Sequence, residues 1–346
     1  MKAVAVCWIL VAASWLDAQV VLSRRDYAAH GRTFPQIWIS DTGTVNFRQL
    51  THSARDHSGP VCSRDGKLIY FVSDHDAERS RNSYGGPNGR EVWAYDRKTG
   101  QERIVWRTSR DFGLRLDGMT ANGGIVVRVG SELRSLSHKP WVIENVDEVA
   151  VAADGRRLAL VIAGSYDKQG QSQNPRLFLA DAATGQSRTE VGKYDWPEWS
   201  PDGMRIAAFS NGGLAILDAM TRKEIQRIGL PKHDAPPQDI VWSLDGKSLL
   251  VGLYGQNGGA GDPQSDYFLL NPATRIWTPE LTARQALWLW AEMVLYLRPY
   301  ATTALAPASR HSVWTSRLAI YNLASHKDTA LTSGIVLNDD LSTCGH

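Results

Sequence analysis

The chain has 346 residues, enough for one large all-β domain or two smaller ones, and its 38 Lys+Arg against 36 Asp+Glu leave a formal charge of only +2. So balanced a charge builds no field for a polyanion and argues against nucleic acid as a partner. A composition of 43% hydrophobic residues with 13 Trp, 11 Tyr and 30 Gly suits many short strands separated by turns, not a helical bundle or a disordered chain.

The N-terminus, "MKAVAVCWILVAASWLDAQ", has one Lys, an apolar run from Ala3 to Leu16 and a small residue at Ala18. That run is short for a bilayer span and has the length of an export-signal core, so residues 1–18 read as a cleaved signal peptide, with an uncleaved anchor as the alternative. Cys7 has no lipobox-like context. The rest, 19–346, reads as a single domain in the periplasm or outside the cell, without a stable membrane span.

After the signal come three short strands, "QVVLSRR", "IWISD" and "FRQLT". A longer pattern then begins and recurs: "PVCSRDGKLIYFVSD", "AVAADGRRLALVIAG", "PEWSPDGMRIAAF" and "IVWSLDGKSLLVGLYG" each place an Asp-Gly turn between two apolar runs, a strong hairpin signal. "GMTANGGIVVRVG" keeps an Asn-Gly turn, whereas "LWLWAEMVLYLRP" replaces the turn with Ala291-Glu292. A second pattern of strand, polar turn and shorter strand alternates with the first, as in "VWAYDRKTGQERIVW" and "LFLADAATGQSRTEV". Each pair of patterns supplies four antiparallel strands, a to d. The turn glycines Gly66, Gly123, Gly155, Gly203 and Gly246 recur at intervals scattered around the roughly 40 to 45 residues of a propeller blade.

The last segment, "LTSGIVLNDDLSTCGH", mimics the "LTHSARDHSGPVCS" that leads into the first full hairpin. The C-terminus would then supply strand a of a blade whose b, c and d come from the N-terminus. The expectation is an all-β, seven-bladed β-propeller closed by that shared blade, with six blades as the alternative.

The blocks "RQLT...GPVCSRDGKLIYFVSD" and "WPEWSPDGMRIAAFSNG" resemble the PD40, or WD40-like, repeats of the TolB-like propeller family. The resemblance implies a fold more than a function. Members of the TolB type carry an additional α/β domain for which this chain has no room, so their role in the Tol-Pal system is not carried over. Related propellers gate prolyl oligopeptidase-like hydrolases, yet there is no GxSxG elbow and no hydrolase-sized segment here. Within the repeat, Trp199 and Trp242 are expected to wedge between blades, and Asp202-Gly203 and Asp245-Gly246 to close the a-b hairpins.

In a propeller the b-c and d-a connections share one face, and the a-b and c-d turns share the other. The a-b turns are uniformly short, while the b-c connections include "RRDYAAHGRTFPQ", "DHDAERSRNSYGGPNGR", "GSYDKQGQSQNPR", "YGQNGGAGDPQSD" and "RPYATTALAPASRHSVWTS". Insertions confined to one face mark a binding side. Those connections carry the candidate binding residues Arg24, Arg25, Tyr27, His30, Arg81, Tyr84, Tyr166, Tyr254, Arg298 and Tyr300, together with His311; Tyr and Arg combine contact area with directional hydrogen bonds.

His30, His52, Asp56, His57 and His75 are the residues that could ligate a metal on this face, but no HxH, HExxH or regular spacing supports a site, and no cofactor is implied. The Gly-rich "GQNGGAGDP" lacks the Lys-Ser/Thr of a P-loop and reads as a flexible loop. Cys62 and Cys344 fall at nearly corresponding places in strand a of adjacent blades. Such positions are expected beyond the roughly 7 Å that a disulfide spans, which favours two buried thiols over a bond locking the seam. The functional expectation is a monomeric, non-enzymatic propeller that binds a protein, peptide or glycan through the b-c face; the alternative is a metal-assisted polysaccharide lyase or hydrolase with an axial site on that face.

Overall fold

A computed structural model describes residues 19–26, 34–41, 45–73, 91–109, 113–166, 172–210, 213–231, 237–254, 265–290, 292–302, 313–332 and 336–344. The expected signal segment lies outside them. None of the described residues is helical, and so no helix among them is long and apolar enough to cross a membrane.

The described strands form seven four-stranded antiparallel sheets and one two-stranded ribbon. Blade 1 comprises strands His57–Cys62, Leu68–Ser73, Glu91–Asp96 and Glu102–Arg107, in the order a to d. Blade 2 follows with Leu114–Met119, Ile125–Val129, Glu132–Leu136 and Val142–Ile143, and blade 3 with Val146–Val151, Arg157–Ile162, Arg176–Asp181 and Thr189–Gly192. Blade 4 is Asp195–Trp199, Arg205–Ser210, Gly213–Asp218 and Glu224–Ile228. Blade 5 is Pro237–Trp242, Leu249–Tyr254, Ser265–Asn271 and Ile276–Ala283. Blade 6 is Ala286–Trp290, Met293–Thr302, Val313–Asn322 and Lys327–Ala330. Blade 7 takes strand a from Val336–Cys344 and strands b to d from Gln19–Asp26, Gln36–Ser40 and Phe47–Gln49. The seven-bladed ring and its closure by a shared blade are thus as the repeats imply. At the seam, Gln19 pairs with Cys344 and Asp26 with Val336.

Strand b of each blade is apolar on both faces because each face packs on a different neighbour. In Ile69-Tyr70-Phe71-Val72, Ile69 and Phe71 join the core shared with blade 7, and Tyr70 and Val72 join the core shared with blade 2. Leu158 and Leu160 likewise face blade 2, while Ala159 and Val161 face blade 4. Period-two alternation sends successive side chains to opposite sides, so a sheet covered on both faces reads as a continuous apolar run. Seven core clusters result, each shared by two adjacent blades, and those at 6/7 and 7/1 complete the circle.

Trp199 and Trp242 occupy the wedge positions expected of them. Their indole Nε1 atoms donate to the strand a carbonyls of the preceding blade, Ala150 at 3.1 Å and Glu198 at 3.1 Å. Trp288 does the same to Val241 at 3.2 Å, in the blade whose hairpin turn is least recognisable. An arginine from the preceding blade covers each of the first two rings, Arg157 at 4.6 Å over Trp199 and Arg205 at 4.9 Å over Trp242, and both then donate to the turn glycine carbonyls of the next blade. The turn itself needs glycine: Gly203 has φ +67°, and the Asp202 carboxylate accepts from Ser200 Oγ and the Met204 amide.

Cys62 stands where blades 4 and 5 place Trp199 and Trp242, just before Ser-x-Asp-Gly, so its side chain is directed at the innermost strand of the preceding blade. That strand carries Cys344. The Cα atoms lie 5.2 Å apart and the two residues form a disulfide. This corrects the expectation of two thiols. Innermost strands of adjacent blades converge near the axis, and the wedge position aims across the gap, well inside the span a disulfide needs.

Candidate functional site

Because every blade runs a to d without a crossover, the ends of strands b and the starts of strands c share one face with the d-a connections. Six of the candidate residues lie in strands or a ribbon, not in free connections. Arg24 and Arg25 are inside strand b of blade 7, which runs to Asp26. Tyr166 belongs to the ribbon of Ser165–Tyr166 and Ser172–Gln173. Arg298 and Tyr300 lie inside strand b of blade 6, whose pairing continues to Thr302 opposite Val313. Tyr254 is the last residue of strand b in blade 5. Tyr27, His30, Arg81, Tyr84 and His311 lie outside the described residues.

These residues are distributed over blades 3, 5, 6 and 7. Arg298 has a local job: Nη1 meets Asp328 Oδ2 at 2.6 Å, and the same carboxylate accepts from Tyr296 Oη at 2.9 Å.

Arg24 does help to build a site. Its guanidinium lies 4.4 Å above the Trp38 ring, because strands b and c pair Leu22 with Trp38 and Arg24 with Gln36, leaving Arg24 and Trp38 on a diagonal. These residues, with Phe34, Gln49, His52 and Ser53, line a pocket of about 250 Å³ on the b-c face of blade 7. Its wall is held by carboxamides. Gln36 Nε2 donates to the Ser53 and Arg55 carbonyls at 2.9 and 3.0 Å, its Oε1 accepts from Thr51 Oγ1 at 2.9 Å, and Gln49 Nε2 donates to the Thr51 carbonyl at 2.6 Å. The d-a connection is thereby fixed against strand c.

Behind this wall, Ser53 Oγ and His57 Nε2 are 2.7 Å apart. The His57 ring is buried edge-on against Phe71, with centroids 4.7 Å apart, and its Nδ1 has no hydrogen-bond partner. Burial, and then the Arg55 charge, push its pKa down to about 4, so the imidazole is neutral at pH 7. A serine-histidine pair of this kind lacks the carboxylate that would orient the ring for proton transfer. His52 is exposed while His57 turns into the core, and among the described residues no three His, Cys, Asp or Glu gather as metal ligands would. His30 and His75 lie outside the described residues.

Next to the pocket, on blade 1, Glu91 is buried with 2% exposure and accepts from Trp93 Nε1 at 2.8 Å, with Arg107 Nε at 2.7 Å and Arg55 Nη1 at 3.4 Å. Arg55 also lies 5.4 Å over Trp93. Gln36, Trp38, Gln49, Arg55, Glu91 and Trp93 are functional candidates that sequence reasoning missed. The signal available was the tryptophan in "IWIS" and "VWAY", a large ring on strand c flanked by apolar neighbours.

The opposite face, with the short turns, is also concave. Near the axis, Cys62, Ser63, Arg64, Asp117, Met119 and Ala153 help to line a cavity of about 290 Å³. Asp117 is raised by burial against the pull of Arg128, 3.4 Å away, and Glu148 is raised for the same reason. Farther round the innermost strands, Glu198 is pushed up to about 8 by burial and then by Asp239, itself raised to about 6.

No protein-family model matches the chain, and no curated protein matches it. Solved structures do. A protein proposed to be a 6-phosphogluconolactonase from Bacteroides uniformis aligns with a TM-score of 0.57 at 14% identity, over 94% of this chain and 99% of that one. Oligogalacturonate lyase from Vibrio parahaemolyticus aligns at 0.55 and 12% identity, over 91% and 86%. TolB from Acinetobacter baumannii aligns at 0.51 and 14% identity, over 96% of this chain and 67% of that one. At these identities the likeness is one of fold, and the fold is a TolB-like propeller.

Proposed function

We propose that the chain is an exported, non-enzymatic propeller, periplasmic or secreted, that binds a protein, peptide or glycan through the face bearing the b-c and d-a connections. The observation that carries this reading is the pocket of blade 7. Arg24 stacked on Trp38, beside carboxamides already locked in place, offers a flat surface and directional donors with little conformational entropy left to lose on binding. The strand ends that flank the long b-c connections of blades 1, 3, 5 and 6 lie on the same face.

The test uses the chain from Gln19 onward on glycan and peptide arrays, followed by titration of the best binder. Arg24→Ala and Arg81→Ala are each expected to weaken it about tenfold, about 1.4 kcal/mol, while Lys247→Ala on the opposite turns leaves it unchanged. A binder lost only with Lys247→Ala would put the site on the wrong face. Turnover of oligogalacturonate by the purified chain would replace the binding reading with the lyase one.

A further inference from the structure

Most acceptors in the wall of the blade 7 pocket are already bonded within it. The Ser53 and Arg55 carbonyls both accept from Gln36 Nε2, the Thr51 carbonyl accepts from Gln49 Nε2, and Gln36 Oε1 accepts from Thr51 Oγ1. Thr51 Oγ1 also accepts from the Ile37 amide at 2.9 Å, so that hydroxyl is used in both directions. Of the two carboxamides in the wall, Gln49 alone keeps an oxygen for a ligand.

The other polar groups of the lining can all donate. Arg24 brings a guanidinium, His52 an exposed imidazole and Ser53 a hydroxyl. Among the described residues no Asp or Glu lines the pocket, and Asp56, of the same d-a connection, is outside the lining. The neighbouring cluster on blade 1 adds to the positive field, because one carboxylate, Glu91, is shared by two guanidiniums, Arg55 and Arg107. A concave wall that carries a fixed cation and no acid favours an anionic partner. Ser53 is held in place at this wall, its Oγ 2.7 Å from Nε2 of His57, whose ring is locked against Phe71.

With the binding role proposed above as the premise, we infer that this pocket is a carboxylate site whose ligand is an acidic peptide segment. The peptide's side-chain carboxylate accepts from Arg24 and from the Ser53 hydroxyl, as charge-assisted hydrogen bonds. Beside it, a backbone N–H of the peptide donates to Gln49 Oε1, an acceptor that a bare anion would leave unused. When the Ser53 hydrogen turns to the carboxylate, Oγ accepts from a proton on His57 Nε2. His57 is thus a positioning residue that never touches the ligand.

The probes are an acetylated Glu-Ser-Glu amide, its Gln-Ser-Gln counterpart and digalacturonate, titrated by NMR at low salt into the chain from Gln19 onward. The acidic peptide is expected to bind at millimolar concentration or better, and the Gln counterpart at least about tenfold more weakly. The Kd of the acidic peptide should rise about tenfold in Arg24→Gln, which removes the charge and keeps hydrogen bonding, and severalfold in Ser53→Ala. It should stay unchanged in Lys247→Ala. With the peptide bound, the ring nitrogen shifts of His57 should place its proton on Nε2. Absence of binding at millimolar concentration, or equal binding of the Gln counterpart, would overturn the carboxylate site in the unmodified chain. A proton on Nδ1 in the complex would remove Ser53 as a donor and overturn its role and that of His57. Binding of digalacturonate without the peptide would replace the acidic peptide with an acidic glycan. A neutral array binder that is lost with Arg24→Ala would uphold the binding face and overturn the carboxylate, so the two readings fail separately.

Discussion

Breaking the Cys62–Cys344 bond lowers the stability of the ring by several kcal/mol without preventing it from closing. The bond joins residues 282 apart, so it removes a large loop-closure entropy from the unfolded chain; the chain-entropy relation gives about 5.6 kcal/mol as an upper figure, and about 2–4 kcal/mol is typical. Closure itself does not depend on it. The antiparallel pairing of Gln19–Asp26 with Val336–Cys344 and the cores shared with blades 6 and 1 remain in place. A Cys62→Ser/Cys344→Ser double variant is therefore expected to fold, with a lower denaturant midpoint and earlier proteolysis at the blade 7 seam. Intact mass after alkylation gives the direct check. Neither Cys62 nor Cys344 should react before reduction, and both should react after it; two alkylated cysteines without reductant would show that the bond is absent.

That bond also shows where the sequence is legible and where it is not. The Asp-Gly turns and the tryptophans before them are local signals, and they identify the a-b hairpins, the blade count and the split blade. Cys62 sits in one of those hairpins at the tryptophan position, but the direction of its side chain depends on how blades converge at the axis, which no local pattern carries. Blade 6 shows the same limit. Its strand b runs through Arg298 to Thr302, placing Arg298 directly opposite Arg317, a like-charge pair that pattern reading counts against a strand. Asp328, from strand d, supplies the compensating charge at 2.6 Å. The blade 7 pocket is hidden similarly, since Arg24 and Trp38 are neighbours only through strand register, 14 positions apart in the chain.

Glu198 gives the second large effect, and its sign is unusual for a carboxylate. It lies on the innermost strand of blade 4, where burial and then the charge of Asp239 raise its pKa from 4.5 to about 8. Asp239 rises less, to about 6, because Tyr267 Oη donates to its Oδ2 at 2.6 Å and the Ile240 amide also favours its ionised form. Between these folded and unfolded values the native state holds a proton that the unfolded chain has released, so stability falls as pH rises. His57 works in the opposite direction: held neutral down to about 4, it makes the protein more stable as pH rises through 6.5, with a slope already halved there and fading within about one pH unit above it. The window from pH 6.5 to 8 therefore belongs mainly to Glu198, with a limiting slope of about 1.4 kcal/mol per pH unit for one proton. Urea midpoints at pH 6.5, 7.2 and 8.0 should fall in that order. Glu198→Gln, which keeps the shape and removes the ionisation, should flatten the series and be the more stable protein at pH 8. A wild-type midpoint that holds steady or climbs across this window would mean that the Glu198 carboxyl finds solvent or a cation when it ionises.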